Sequence, residues 1–106
     1  MSWLYLFLAG VFEIVWAIAL KYSEGFSRAL PTGIVFTAGF ASFWLLGLAA
    51  EKLPIGTAYA VWTGIGAVGT AILGMVLFSE SHHGLRLASI ALIVCGIAGL
   101  RLFGGR

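Results

Sequence analysis

Four long apolar runs take up nearly the whole chain, and the charged residues fall almost entirely between them. The runs are residues 3–20, 30–50, 53–78 and 87–103. A helix needs about 20 apolar residues, at ~1.5 Å each, to cross a hydrocarbon core of ~30 Å. Inside such a core the backbone has no water to bond, and a helix satisfies its N–H and C=O groups within itself. A soluble domain carries roughly a quarter of its residues as charges. Here only 9% of 106 residues are charged, 61% are hydrophobic and the mean hydropathy is +1.08. The expectation is an all-α membrane protein: one four-helix transmembrane domain over residues 1–106, lodged in a lipid bilayer.

Other classes fit poorly. A net charge of +2 spread over scattered bases offers no patch or stripe for nucleic acid. The lone Cys95 has no partner for an internal disulfide. The first run is too long for a signal-peptide core, lacks a basic residue before it, and is interrupted by an acid. The connections are residues 21–28 (KYSEGFSR, with a turn at Gly25), the pair Glu51-Lys52, and residues 79–86 (SESHHGLR). So short a second connection predicts a tight hairpin of helices two and three. Pro31 and Pro54 stand early in their runs, where a missing N–H costs nothing. Arg101, near the end of the last run, can reach the interface along its own stem.

The interrupting acid is Glu13, the one charge in the first run. At ~1.5 Å per residue it lies ~15 Å from Trp3, near the middle of the core. An ionisable group there costs at least a few kcal/mol, so by default it marks a proton or binding site.

With four spans, Lys52, Arg101 and Arg106 lie on one side, and Lys21, Arg28 and Arg86 on the other. The positive-inside rule then has no bias to act on. Two readings stand side by side: a small protein has too few charges to count, or copies insert both ways and pair antiparallel. Four short helices enclose little interior, so an oligomer bringing Glu13 residues together is the economical way to build a hydrated site between units.

Helical periodicity puts Leu6, Gly10, Glu13 and Ala17 along one stripe, flanked by Ala9 and Trp16. Gly10 is expected to leave space beside the carboxylate. Trp16 either packs against lipid or a helix, or offers its indole N–H at mid-depth. Ser42 in the second run is a candidate hydroxyl, unless it bonds its own backbone. Tyr59, Trp62, Thr63 and Gly66 share a face of the third run, either as packing or as aromatic surface for a cation. Gly56, Ala60 and Gly64 read as small-residue packing, and Gly64 with Gly66 as a candidate hinge. Ser89 and Gly96 form a helix-contact face on the fourth run. Glu24, Glu51 and Glu80 are expected to be solvated, and the adjacent His82 and His83 do not make a metal site without a third ligand.

The single Glu13, the segment WAIALKYSEGFSR and the segment LPIGTAYAVWTGIGAVG together resemble the small multidrug resistance transporters, over essentially the whole chain. Trp16 and WAIALKYS look like the guanidinium-exporter subtype. The resemblance implies an antiparallel, dual-topology homodimer in the bacterial inner membrane, exchanging protons for a small organic cation. Glu13 from both copies would be the shared proton and substrate site. Gly10, Trp16, Ser42, Tyr59, Trp62 and Thr63 would line it, with Ser42 and Trp16 as hydrogen-bond neighbours of the carboxylate. No catalytic residue, metal or cofactor is implied; the proton gradient supplies the energy, and the chain is not read as an enzyme. The alternatives are a multidrug exporter of quaternary ammonium compounds, a lipid or polyamine transporter of the same family, and a non-transporting membrane subunit in which Glu13 is a helix–helix hydrogen bond.

Overall fold

Each apolar run becomes one helix in the computed structural model, which describes residues 1–80 and 82–103. Ser81 of the third loop and Arg106 of the charge balance lie outside the described residues. The helices are α1 (Ser2–Tyr22), α2 (Ala29–Ala50), α3 (Ile55–Leu77) and α4 (Gly84–Phe103), all long and apolar enough to cross a membrane. Among the described residues there is no strand.

Three boundaries differ from the sequence expectation, the first being the end of α1, which continues through Lys21 and Tyr22 of the expected loop. Pro54 is extended, at φ −56° and ψ 138°, and its carbonyl accepts the Ala58 N–H at 2.9 Å. Proline thus stands at the cap, α3 begins at Ile55, and the second connection runs over residues 51–54. The fourth helix starts at Gly84, a turn before residue 87. His83 caps it: the ring Nδ1 accepts the Leu85 N–H at 3.1 Å and the carbonyl accepts the Leu87 N–H at 3.0 Å.

The first loop is held by a buried serine. Ser23 donates its hydroxyl to the Leu20 carbonyl at 2.7 Å and accepts the Phe26 N–H at 3.1 Å. Those bonds let Glu24, Gly25 and Phe26 adopt positive φ angles of 50°, 74° and 68° in succession.

Within the bundle α1 is central, packed against α2 and α3, while the backbone of α4 approaches only that of α3. The core clusters Leu6, Ala9, Leu46, Ala49, Ala58 and Val61 at the end where α1 and α3 begin and α2 ends. In lipid, helices associate by close packing rather than by expelling water, so small residues sit where backbones approach. A Cβ on Gly10 would overlap Ile65, and one on Gly69 would overlap Ile14, so α1 and α3 interlock through each other's glycines. On α4 no residue is buried. The Cα extents are 42 × 34 × 16 Å, so the bundle is about two helices thick in its thinnest direction.

Glu80, expected to be a solvated loop acid, is an exposed loop residue and also fastens α3 to α4. The Gly74 carbonyl accepts the N–H groups of Phe78 (3.0 Å) and Glu80 (3.2 Å), with Ser79 between them at φ 55°. The chain therefore doubles back, and the Glu80 carboxylate occupies the space a side chain on Gly74 would fill. Arg86 Nη2 donates to Glu80 Oε1 at 3.0 Å and to the Ala71 carbonyl at 3.4 Å. On the other flank the Phe78 ring meets Tyr22, with centroids 5.2 Å apart, and the Lys21 ammonium at 5.6 Å.

Gly74→Ala should displace the Glu80 carboxylate, the end of a flexible and partly exposed side chain, and destabilise the protein by up to about 1 kcal/mol, the worth of an exposed ion pair. Gly33→Ala, where an added Cβ meets nothing within 4 Å, should be close to neutral. Unfolding followed by circular dichroism in detergent compares them; equal midpoints for both variants would remove the clasp from the account of stability.

Candidate functional site

Glu13 is half-buried on α1 and points at α3, where Gly66 receives it. A Cβ on Gly66 would coincide with the Glu13 carboxyl, so the acid lies directly on the α3 backbone. Its Oε1 is buried and has no hydrogen-bond partner. A buried carboxylate oxygen without a donor carries the full cost of lost solvation, and that cost is relieved only by a proton or a cation.

One turn above, a short hydrogen-bond chain ties three helices together. Ser42, fully buried on α2, donates to the Ala9 carbonyl of α1 at 2.6 Å and accepts from Trp62 Nε1 of α3 at 2.8 Å. Ala9 precedes Glu13 by one helical turn, so this chain fixes the level of the carboxylate in the bundle. Both expectations for Ser42 need correction: it bonds neither its own backbone nor Glu13. Its single proton is taken by the α1 carbonyl that faces it.

Aromatic rings extend from that point. Trp62 meets Tyr59 at 5.6 Å between centroids and Phe43 of α2 at 6.4 Å, nearly edge-on. Tyr59 is 57% exposed, so a wall of rings opens from the level of Glu13 to the surface of the single chain. Trp16 lies against α2, with its Cγ 3.9 Å from where a Cβ on Gly39 would stand. It makes no hydrogen bond to the carboxylate among the described residues. Thr63 gives its hydroxyl to the Tyr59 carbonyl of its own helix at 2.8 Å.

Glycine roles are redistributed relative to the sequence reading. The space expected beside Gly10 is filled by Ile65. Gly66, expected to serve as packing or hinge, is the seat of Glu13; nothing short of the α1–α3 register identifies it. Gly64 receives Ile97 and Ile93 of α4, and α3 continues as unbroken helix through both glycines. Ser89 and Gly96 are exposed, with Ser89 bonded to the Leu85 carbonyl of its own helix and open space at Gly96. Among the described residues no group of three or more His, Cys, Asp and Glu is placed to hold a metal.

Known proteins bear directly on this arrangement. A family model described as Small Multidrug Resistance protein matches residues 1–93. The guanidinium exporter of Escherichia coli K12 is 60% identical over 102 residues, covering 96% of this chain and 97% of its own. Guanidinium exporters of Yersinia pestis and Proteus vulgaris are 58% and 56% identical over the same length, each covering 96% of this chain and 98% of their own.

Ser42→Ala should cost about 1–3 kcal/mol by leaving the Trp62 N–H without its acceptor. The indole emission of the variant should shift as that donor is released. An unchanged spectrum and unfolding midpoint would show that the three-helix chain does not form in the membrane-embedded protein.

Proposed function

Because the chain belongs to the small multidrug resistance family, a set of multi-pass inner-membrane transport proteins, we propose that it exports guanidinium and small guanidinyl cations in exchange for protons, with Glu13 as the shared site. One observation carries the proposal: a carboxylate oxygen buried at mid-span with no partner of its own. Its missing partner is the cargo, alternating with a proton. The relatives named as guanidinium exporters support the choice of cation.

Guanidinium suits the surroundings. It is planar, permanently charged and weakly hydrated, and it bonds a carboxylate through two parallel N–H groups. The rings of Trp62 and Tyr59 add faces that attract a cation. Proton and cation compete for one carboxylate, and competition couples their fluxes if only occupied carriers change sides.

The working unit in this proposal is an antiparallel homodimer. Glu13 is only half-buried within one copy, and a second copy would close the site. Helix α4, with no buried residue and an open Ser89–Gly96 face, is the natural dimer contact. Matched basic residues on the two sides let copies insert in both senses.

Reconstituted in liposomes with a proton gradient, the protein should move guanidinium against it, and Glu13→Gln should reduce exchange to background. Tetraalkylammonium flux without guanidinium flux would reassign the substrate, and no flux of either cation would leave a non-transporting subunit. Gly66→Ala should push the carboxyl off its seat and weaken guanidinium binding about tenfold or more, since small misplacements of a reacting group are costly. Isothermal titration calorimetry reads this out, with Gly56→Ala, where space is open, as the matched control.

A further inference from the structure

A groove runs between α1 and α4, whose backbones make no close approach to each other. It encloses about 360 Å³ and its floor is α3. Val61 and Ile65 form that floor, with Phe7 on the α1 side and Val94, Ile97 and Ala98 on the α4 side. Trp3 and Arg101 stand at its mouth. Both belong to terminal turns at the same end of the bundle, the level at which tryptophan and arginine meet the headgroup layer.

Arg101 is the informative residue. Its guanidinium lies over the Trp3 ring, 4.8 Å from the centroid. This contact with the ring face uses none of the guanidinium N–H donors. Among the described residues no carboxylate or carbonyl takes them: the ion pairs are Arg28–Glu24 and Arg86–Glu80. A comparable apolar cavity beside Arg28 differs on this point, because Glu24 lies 4.0 Å from that guanidinium. The α1–α4 groove therefore joins a cation without an acidic partner among the described residues to an apolar channel leading into the membrane. From Val94 to Arg101 the channel runs ~10 Å along α4, enough for the upper part of an acyl chain.

We propose that this groove binds an anionic phospholipid, with its phosphate on Arg101 and an acyl chain along Val61, Ile65 and Val94. The face is distinct from the one assigned above to a second copy. At ~100° per residue, Val94, Ala98 and Arg101 centre about 155° around α4 from Ser89 and Gly96. A dimer through the latter face leaves the groove turned to lipid. Bound there, the lipid links α4 to α1 at the end opposite the Glu80–Arg86 clasp.

The test is native mass spectrometry of the purified full chain in detergent, titrated with phosphatidylglycerol or phosphatidylcholine. Wild type should retain phosphatidylglycerol about fivefold more tightly, the increment of one basic contact with an anionic headgroup. Arg101→Gln should abolish that preference, while Lys52→Gln, which removes a charge at the same end outside the groove, should keep it. Ala98→Trp should weaken both lipids by filling the channel with Arg101 intact. Equal retention of the two lipids by wild type, or an undiminished preference in Arg101→Gln, would overturn the assignment. So would efficient cross-linking between copies through Ala98→Cys, which would give the groove to a second copy.

Discussion

A carboxyl group laid on bare backbone sets the terms for the rest of this chain. Glu13 reaches Gly66 because that position of α3 has no side chain, and its Oε1 finds no donor there. In water such an oxygen would be solvated; inside a bundle it must be supplied with a proton or a cation. Everything nearby holds that acid at a fixed depth without satisfying it. Ser42, the hydroxyl one turn away, is occupied by the Ala9 carbonyl and the Trp62 indole. Thr63 is occupied by its own helix. The Ser42 and Thr63 hydroxyls and the Trp62 indole are thus spent on the scaffold, and in the proposed function Glu13 is left for an exchangeable ligand.

Glycine is the material that makes this arrangement possible. Along the α1–α3 seam, Gly10 admits Ile65, Gly66 admits Glu13 and Gly69 admits Ile14. Gly74, farther along α3, admits the Glu80 carboxylate and so anchors the turn into α4. In a bilayer, where apolar surface gains little by leaving lipid, such close approaches supply dispersion contacts that hydrophobic burial cannot. The same helix therefore serves as scaffold, as seat of the acid and as link to α4. In the proposed dimer, α4 carries the contact between copies and the clasp transmits it to α3.

Much of the architecture is legible in the amino-acid order alone. The number of helices, their approximate spans and the singular position of Glu13 follow from apolar length and from the cost of charge in lipid. These are properties of single segments measured against a bilayer, and they need no knowledge of which helix touches which. The segments around Glu13 and Trp62 carry the family resemblance as well. Even the helix starts at Ile55 and Gly84 differ from the expectation by only a few residues, because capping by Pro54 and His83 is decided locally.

Contacts between segments are another matter. That Ile65 fills the space beside Gly10, that Ser42 gives its proton to Ala9, and that Glu80 folds onto Gly74 all depend on the register of one helix against another. Period alone leaves that register open, since several faces of α3 are rich in small residues and several of α1 are apolar. The sequence by itself determined that an acid would be buried in a four-helix membrane bundle. Only the tertiary structure decided that it would lie on Gly66 with an oxygen unpaired, because that outcome requires two helix surfaces to meet at one particular turn.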